Sequence, residues 1–216
     1  MSRRSLILQR RKLDEIERIE PYQRKLASIK FTVLPKVYGG GTDTELLCES
    51  MDVKRGERVL DIGTGTGLVA LYAKKKSAGH VLATDKSPQA LKNAKLNSKK
   101  LGLKIQVRKA DVFGRINDRF DIITFNPPFT DHAAKKDYHI MFWDKGNAAT
   151  KKFFAGLRDH LTKGGRAFIC WSSFGSRTLL RQLAKRNKLV ITHEGRQQGS
   201  DKLYYDVYKL TPLVSY

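Results

Sequence analysis

The chain has 216 residues, enough for one compact domain with a short extension and a core that needs no disulfide staples. Lysine and arginine total 42 against 21 acidic residues, a net charge of +21 that points to a polyanionic partner, while Cys48 and Cys170 lack CxxC spacing and read as reduced thiols. No apolar run approaches the roughly 18 residues of a membrane span, the run Leu6 to Leu8 is too short for a signal peptide, and Asp14, Glu15, Glu17 and Glu20 argue against a mitochondrial presequence, so a cytoplasmic protein without a membrane partner is expected.

Residues 1–30 read as a basic N-terminal helical extension, with Leu13, Ile16 and Ile19 at near-helical spacing and Pro21 ending any helix. Residues 31–216 read as the main domain. Residues 29–38 are predicted extended, and Gly39 to Gly41 form a loop. Thr42 and Glu45 have capping-box spacing, which predicts a helix from Thr42 to about Met51. Strand and helix then alternate. Strands are expected at 58–62, 80–84, 104–108, 120–125 and 166–171, and helices at 68–76, 88–100, 148–161 and 176–187. Pro88 suits a first helical turn and Gly102 a helix end, while Gly164 and Gly165 stop the helix before them. Residues 189–193 and 203–210 look like a closing antiparallel pair. This order predicts an α/β, Rossmann-like fold: a seven-stranded, mostly parallel sheet, helices on both faces, and a C-terminal antiparallel hairpin.

Two motifs carry chemistry. In the string from Val59 to Gly67, VLDIGTGTG, an apolar strand enters a glycine-rich turn and then a helix. Such a turn lets backbone approach a ligand at the carboxyl end of the first strand. The spacing is GxGxG, not the GxGxxG of dinucleotide sites. Asp85 ends the second strand, where a carboxylate can accept hydrogen bonds from the ribose of a nucleoside cofactor; nicotinamide enzymes share that device. Asp111, followed by Val112, ends the third strand and otherwise reads as a loop cap. The second motif, Asn126-Pro127-Pro128-Phe129, follows the strand 120–125. Two prolines make a stiff turn without N–H donors, leaving carbonyl oxygens and the Asn126 side chain to accept hydrogen bonds from an NH₂ group. Phe129 can stack on the flat group that carries the nitrogen.

With Asp61 ahead of its glycines, the first string resembles motif I of the class I methyltransferases. Asn126 to Phe129 resembles the D/N-P-P-Y/F motif of N-methyltransferases. From about Val37 to Leu210 the chain is similar to the HemK-like glutamine methyltransferases of release factors and to the small-domain methyltransferases of rRNA and tRNA bases. The resemblance implies S-adenosylmethionine as cofactor, held or shaped by Asp61, Gly63, Thr64, Gly65, Gly67, Asp85, Lys86, Asp111, Val112 and Asn126. It implies that Asn126, Pro127, Pro128 and Phe129 form the catalytic motif that grips a planar nitrogen. The segment Thr42 to Leu47 looks like the HemK segment ahead of motif I. Thr42, Phe129, Lys135 and Lys136 are the expected substrate contacts. Phe129 stands where HemK enzymes usually carry tyrosine, and 30 residues are fewer than their N-terminal helical domain.

Three functions fit. An RNA base N-methyltransferase, acting on adenine N6 or guanine N2 of RNA or a ribonucleoprotein, is supported by the charge and by Phe129. A glutamine N5-methyltransferase acting on a release-factor-like protein is supported by Thr42 to Leu47. A non-catalytic RNA-binding module would need neither the glycines nor the NPPF motif. His132 and His139 face substrate or solvent, and Trp143 with Asp144 folds over the pocket or sits in the core. No His, Cys and Asp cluster has metal spacing, so no metal is expected.

Overall fold

A mostly apolar strand can be buried on both faces, and the centre of this molecule is built from such strands, RVLDI and FDIITF. The computed structural model describes residues 16–17, 20–199 and 203–213. The chain enters as an antiparallel hairpin, β1 (Tyr22–Leu26) and β2 (Ile29–Val33), followed by α1 (Thr42–Ser50). Then come β3 (Arg58–Ile62), α2 (Leu68–Lys75), β4 (His80–Asp85), α3 (Pro88–Leu101), β5 (Gln106–Lys109) and β6 (Phe120–Phe125). Two 3-10 turns, Asp137–Met141 and Lys145–Asn147, lead into α4 (Ala148–His160) and β7 (Leu161–Ser172). Helix α5 (Arg177–Arg186) precedes β8 (Leu189–Gln198) and β9 (Tyr204–Pro212).

The seven-stranded sheet has the order β5-β4-β3-β6-β7-β9-β8. β5 to β7 are parallel, and β9 runs antiparallel between β7 and β8. The expected α/β sheet with its antiparallel closing pair is therefore present. Side chains alternate between two apolar layers. Val59 and Ile122 face a layer shared with Leu47 of α1 and Leu71 of α2, whereas Leu60 and Ile123 face Phe153 of α4 and Leu180 of α5. Chain order reverses between β4 and β6 on either side of β3, which opens a crevice at their carboxyl ends. Cys48 and Cys170 are free and buried, and burial pushes both thiols up. Among the described residues, no helix is long and apolar enough to cross a membrane.

The helical extension does not hold to residue 30. Residues 22–26 are a strand of the β1–β2 hairpin, and residues 1–15 lie outside those described. The hairpin turn has Ala27 and Ser28 at φ 47° and 59°. A two-residue turn with both φ values positive normally carries Asn or Gly, so the composition here hides it. Asparagines of α3 hold the hairpin from behind. Asn97 Oδ1 accepts from the Thr32 N–H at 2.9 Å, and Asn93 Oδ1 accepts from the Leu34 N–H at 2.8 Å. Both Nδ2 groups donate to the Thr32 carbonyl at 2.8 Å. The capping box at Thr42 is also absent. Gly41 is the N-cap, with no side-chain cap bond, and Glu45 Oε1 instead accepts from the Ala27 N–H at 2.9 Å. β7 begins five residues before the expected 166 and passes through Gly164 at φ 78°.

Candidate functional site

The glycine turn closes the end of β3. Gly67 has φ 85° and caps α2, and a Cβ there would stand 3.1 Å from Ala94 of α3, so only glycine fits this close approach. Thr64 N–H donates to the Thr84 carbonyl at 2.9 Å, which ties the turn to β4. Asp61 lies buried beneath. Its carboxylate accepts from the Thr64 hydroxyl at 2.6 Å and from the Thr124 hydroxyl of β6 at 2.8 Å. Asp61 thus fixes the turn against the strand that carries Asn126. Burial pushes its carboxyl up to about 6, with the two hydroxyl bonds opposing.

That shift has a sign. An acid raised from its unfolded range of about 4 holds its proton more tightly when folded, so stability falls as pH rises from about 4 to about 6 and the deficit is complete above that. Asp61→Asn removes the deficit. Relative to wild type, the variant is expected to gain up to about 3 kcal/mol as pH rises through this window. Urea unfolding of both proteins at about pH 4.5 and pH 7.5 checks this. A difference between them that does not move with pH refutes it.

Asp85, at the end of β4, lines the crevice. Its Oδ2 accepts from the Gly65 N–H at 3.0 Å and its Oδ1 from the Ser87 N–H at 2.9 Å. The Lys86 backbone N–H also bears on this carboxylate, which has about four lone-pair sites and so keeps capacity for a ligand. Burial raises the Asp85 carboxyl above its ordinary value. Lys86 stands exposed at the rim. Asp111 and Val112 line the far wall. Asp111 pairs with Lys152, and Val112 sits at φ 56°, a strained conformation for a β-branched residue.

Asn126 leaves the end of β6 with its amide held from the protein side. Its Nδ2 donates to Asp43 Oδ2 at 2.7 Å and contacts the Thr44 hydroxyl at 3.3 Å. Its Oδ1 is buried with no hydrogen-bond partner among the described residues. Asp43 is 2% exposed, and its Oδ1 accepts from the Tyr38 hydroxyl at 2.9 Å. Pro127 is buried beside it, and Pro128 lines the crevice.

Several expected contacts lie elsewhere. Phe129 is not a platform in the crevice. Its ring is half-buried, 6.1 Å from the rings of Trp171 and Tyr205, and packs against both apolar layers, where it gains more by burial than at a wet surface. The aromatic wall comes from Tyr38, Tyr138 and Trp143 instead. Trp143 is both buried and over the pocket, with His132 and His139 edge-on at 4.7 and 4.8 Å, and Asp144 accepts from the first N–H groups of α4. Lys135 and Lys136 are exposed and do not line the crevice; Lys136 pairs with Glu17 at 2.6 Å. Thr42 does not line it either, whereas its neighbours Asp43 and Thr44 reach Asn126. Sequence reasoning missed Asp43, although it lies inside the segment that resembles HemK; capping-box spacing drew attention to Thr42. No group of three or more His, Cys, Asp or Glu among the described residues is placed to hold a metal.

Residues 28–196 match the family model described as Methyltransferase small domain. A Methanocaldococcus jannaschii protein named "Putative protein N5-glutamine methyltransferase" is 34% identical over 155 residues, which cover 69% of this chain and 79% of that protein. The Haemophilus influenzae ribosomal RNA small subunit methyltransferase C is 31% identical over 153 residues, covering 69% of this chain but 43% of that enzyme. The fold is shared with the T. thermophilus 16S rRNA N2 G1207 methyltransferase in complex with AdoMet and guanosine, at TM-score 0.68 and 22% identity over 89% of this chain and 50% of that one.

S-adenosylmethionine fits the residues present. Gly63 and Gly65 line the crevice without side chains, Asp85 has acceptor capacity that would serve ribose hydroxyls, and Asp111 with Val112 would hold the adenine end. The cofactor supplies a methyl group activated on a sulfonium. Asn126 and the rings of Tyr38, Tyr138 and Trp143 line the same crevice.

Proposed function

We infer that this chain, which belongs to the methyltransferase small domain family and takes its methyl group from S-adenosylmethionine, delivers that group to a planar, uncharged nitrogen. The buried, unpaired Asn126 Oδ1 carries this reading. A buried acceptor without a donor is costly, and an incoming NH₂ group supplies the donor. With the hydrogens held, the nitrogen lone pair is free to attack the methyl carbon in line. As the carbon–nitrogen bond forms, the carbon–sulfur bond would break and leave S-adenosylhomocysteine, and the nitrogen would then pass its surplus proton to water, so no strong base is needed beforehand. Positioning and fixed dipoles account for much of the rate.

The substrate reading is an amine of an RNA base in the translation machinery, encountered in the cytoplasm. The net charge of +21 and the wall of Tyr38, Tyr138 and Trp143 support it. A glutamine amide is the second reading, supported by the 34% identical relative and by the inward turn of Phe129. Transfer of labelled methyl to total RNA and total protein of the source cell separates them. Label is expected in RNA as N6-methyladenine or N2-methylguanine, with RNA affinity falling at a log–log salt slope near −3.5 if about five phosphates are engaged on a single strand. Label confined to protein, with a flat salt response, would move the assignment to glutamine.

A further inference from the structure

An asparagine amide can sit two ways. The two orientations have nearly the same shape and differ by a half-turn that exchanges acceptor and donor. In one, the oxygen of Asn126 faces the crevice and receives N–H donors. In the other, its NH₂ faces the crevice and repels them. Groups on the protein side decide between the two, and here they come from 83 residues earlier in the chain. The carboxylate of Asp43 is a pure acceptor when ionised, so at 2.7 Å it admits only the NH₂ side of the amide. The Tyr38 hydroxyl donates to the other carboxylate oxygen and leaves Oδ2 to Asn126. Asp43 also lies in the first turn of α1, where the unpaired N–H groups of the helix favour a negative charge. With Asp43 at 2% and Thr44 at 7% exposure, little water can substitute for these partners.

We propose that Asp43 is the positioning residue of this site: by fixing the amide of Asn126, it makes the crevice selective for nucleophiles that arrive as hydrogen-bond donors. This rests on the planar-nitrogen reading and assigns its selectivity to a residue outside the NPPF motif. Asp43 is buried behind Asn126 and does not line the crevice. It also accepts from the Tyr38 and Thr44 hydroxyls, so the part of its effect that passes through Asn126 is separated by a double variant.

The test uses the full chain, with labelled methyl transfer to total RNA and protein of the source cell. Asp43→Asn is nearly isosteric but can present either a donor or an acceptor to Asn126. Turnover is expected to fall roughly 10- to 100-fold, with S-adenosylmethionine affinity within about twofold of wild type. In an Asn126→Ala background the same change should cost less than about twofold, because the group it positions is gone. Thr44→Val, which removes the 3.3 Å contact to Asn126 and the 3.4 Å bond that the Thr44 hydroxyl donates to Asp43 Oδ1 but leaves the Asp43–Asn126 bond in place, should cost about threefold or less. Hydrogen exchange of the Asn126 side-chain NH₂ in the wild-type protein gives a readout without catalysis, and it should be slowed by the carboxylate. Exchange at the free rate, full activity in Asp43→Asn, or a loss that persists undiminished in the Asn126→Ala background would each overturn the proposal. Undiminished turnover in Asn126→Ala itself would instead overturn the planar-nitrogen reading.

Discussion

Asn126→Ala is expected to leave S-adenosylmethionine affinity nearly unchanged and to lower turnover by roughly 100-fold or more, the loss seen when a donor or acceptor aimed at the reacting centre is removed. The size follows from where the bond is made. The Asn126 Oδ1 has no partner among the described residues, which leaves its hydrogen-bonding capacity for whatever enters the crevice. In the ground state the incoming NH₂ is equally content with water. As the lone pair commits to the methyl carbon, charge builds on the nitrogen, its hydrogens become stronger donors, and the bond to Oδ1 strengthens. An interaction that grows toward the transition state lowers the barrier rather than merely tightening substrate binding. The loss should therefore appear in kcat and in kcat/KM alike. Calorimetry for the cofactor and single-turnover transfer of labelled methyl read the two sides separately. Near-wild-type transfer by Asn126→Ala would remove the planar-nitrogen mechanism.

The parallel core was legible because its strands are short and mostly apolar, with Asp61, Asp121 and Thr124 the polar breaks, and Phe120–Phe125 and Arg58–Ile62 begin and end as their residues imply. The hairpin before α1 was not legible. Its turn uses Ala27 and Ser28 in a left-handed conformation that local preferences assign to other residues. Its backbone is satisfied by Asn93 and Asn97, which on a helix four residues apart look like ordinary surface polarity. The same limit governs the site. Glycines and NPPF announce themselves because each acts through its own backbone or side chain. Asp43 acts through a contact across 83 residues, and no local pattern reports such a contact. Phe129 shows the converse. Its type suits a stacking platform, but Trp171 and Tyr205 lie closer to hand and the ring packs on them.

Asp85→Ala should weaken S-adenosylmethionine binding by on the order of 2–3 kcal/mol, roughly 30- to 150-fold in Kd, the worth of hydrogen bonds to a charged acceptor. Two mechanisms act together. The ligand loses the lone pairs that face the crevice, and the turn loses its brace, since the same carboxylate accepts from the Gly65 and Ser87 N–H groups. Asp85→Asn separates them in part. Its oxygen can keep one backbone donor, but its NH₂ must meet the other, so it should bind more weakly than wild type without matching the alanine variant. S-adenosylhomocysteine should suffer the same loss as S-adenosylmethionine, because both carry the ribose and only one carries the sulfonium charge. The pH dependence has a definite direction. Burial raises the Asp85 carboxyl, and only the ionised form can accept from every donor around it. Cofactor affinity should therefore begin to fall on acidification at a higher pH than an ordinary carboxylate would allow, and Asp85→Ala should flatten that decline. Calorimetric titration across the acid range measures both effects, and unchanged affinity in Asp85→Ala would mean that Asp85 does not hold the ribose.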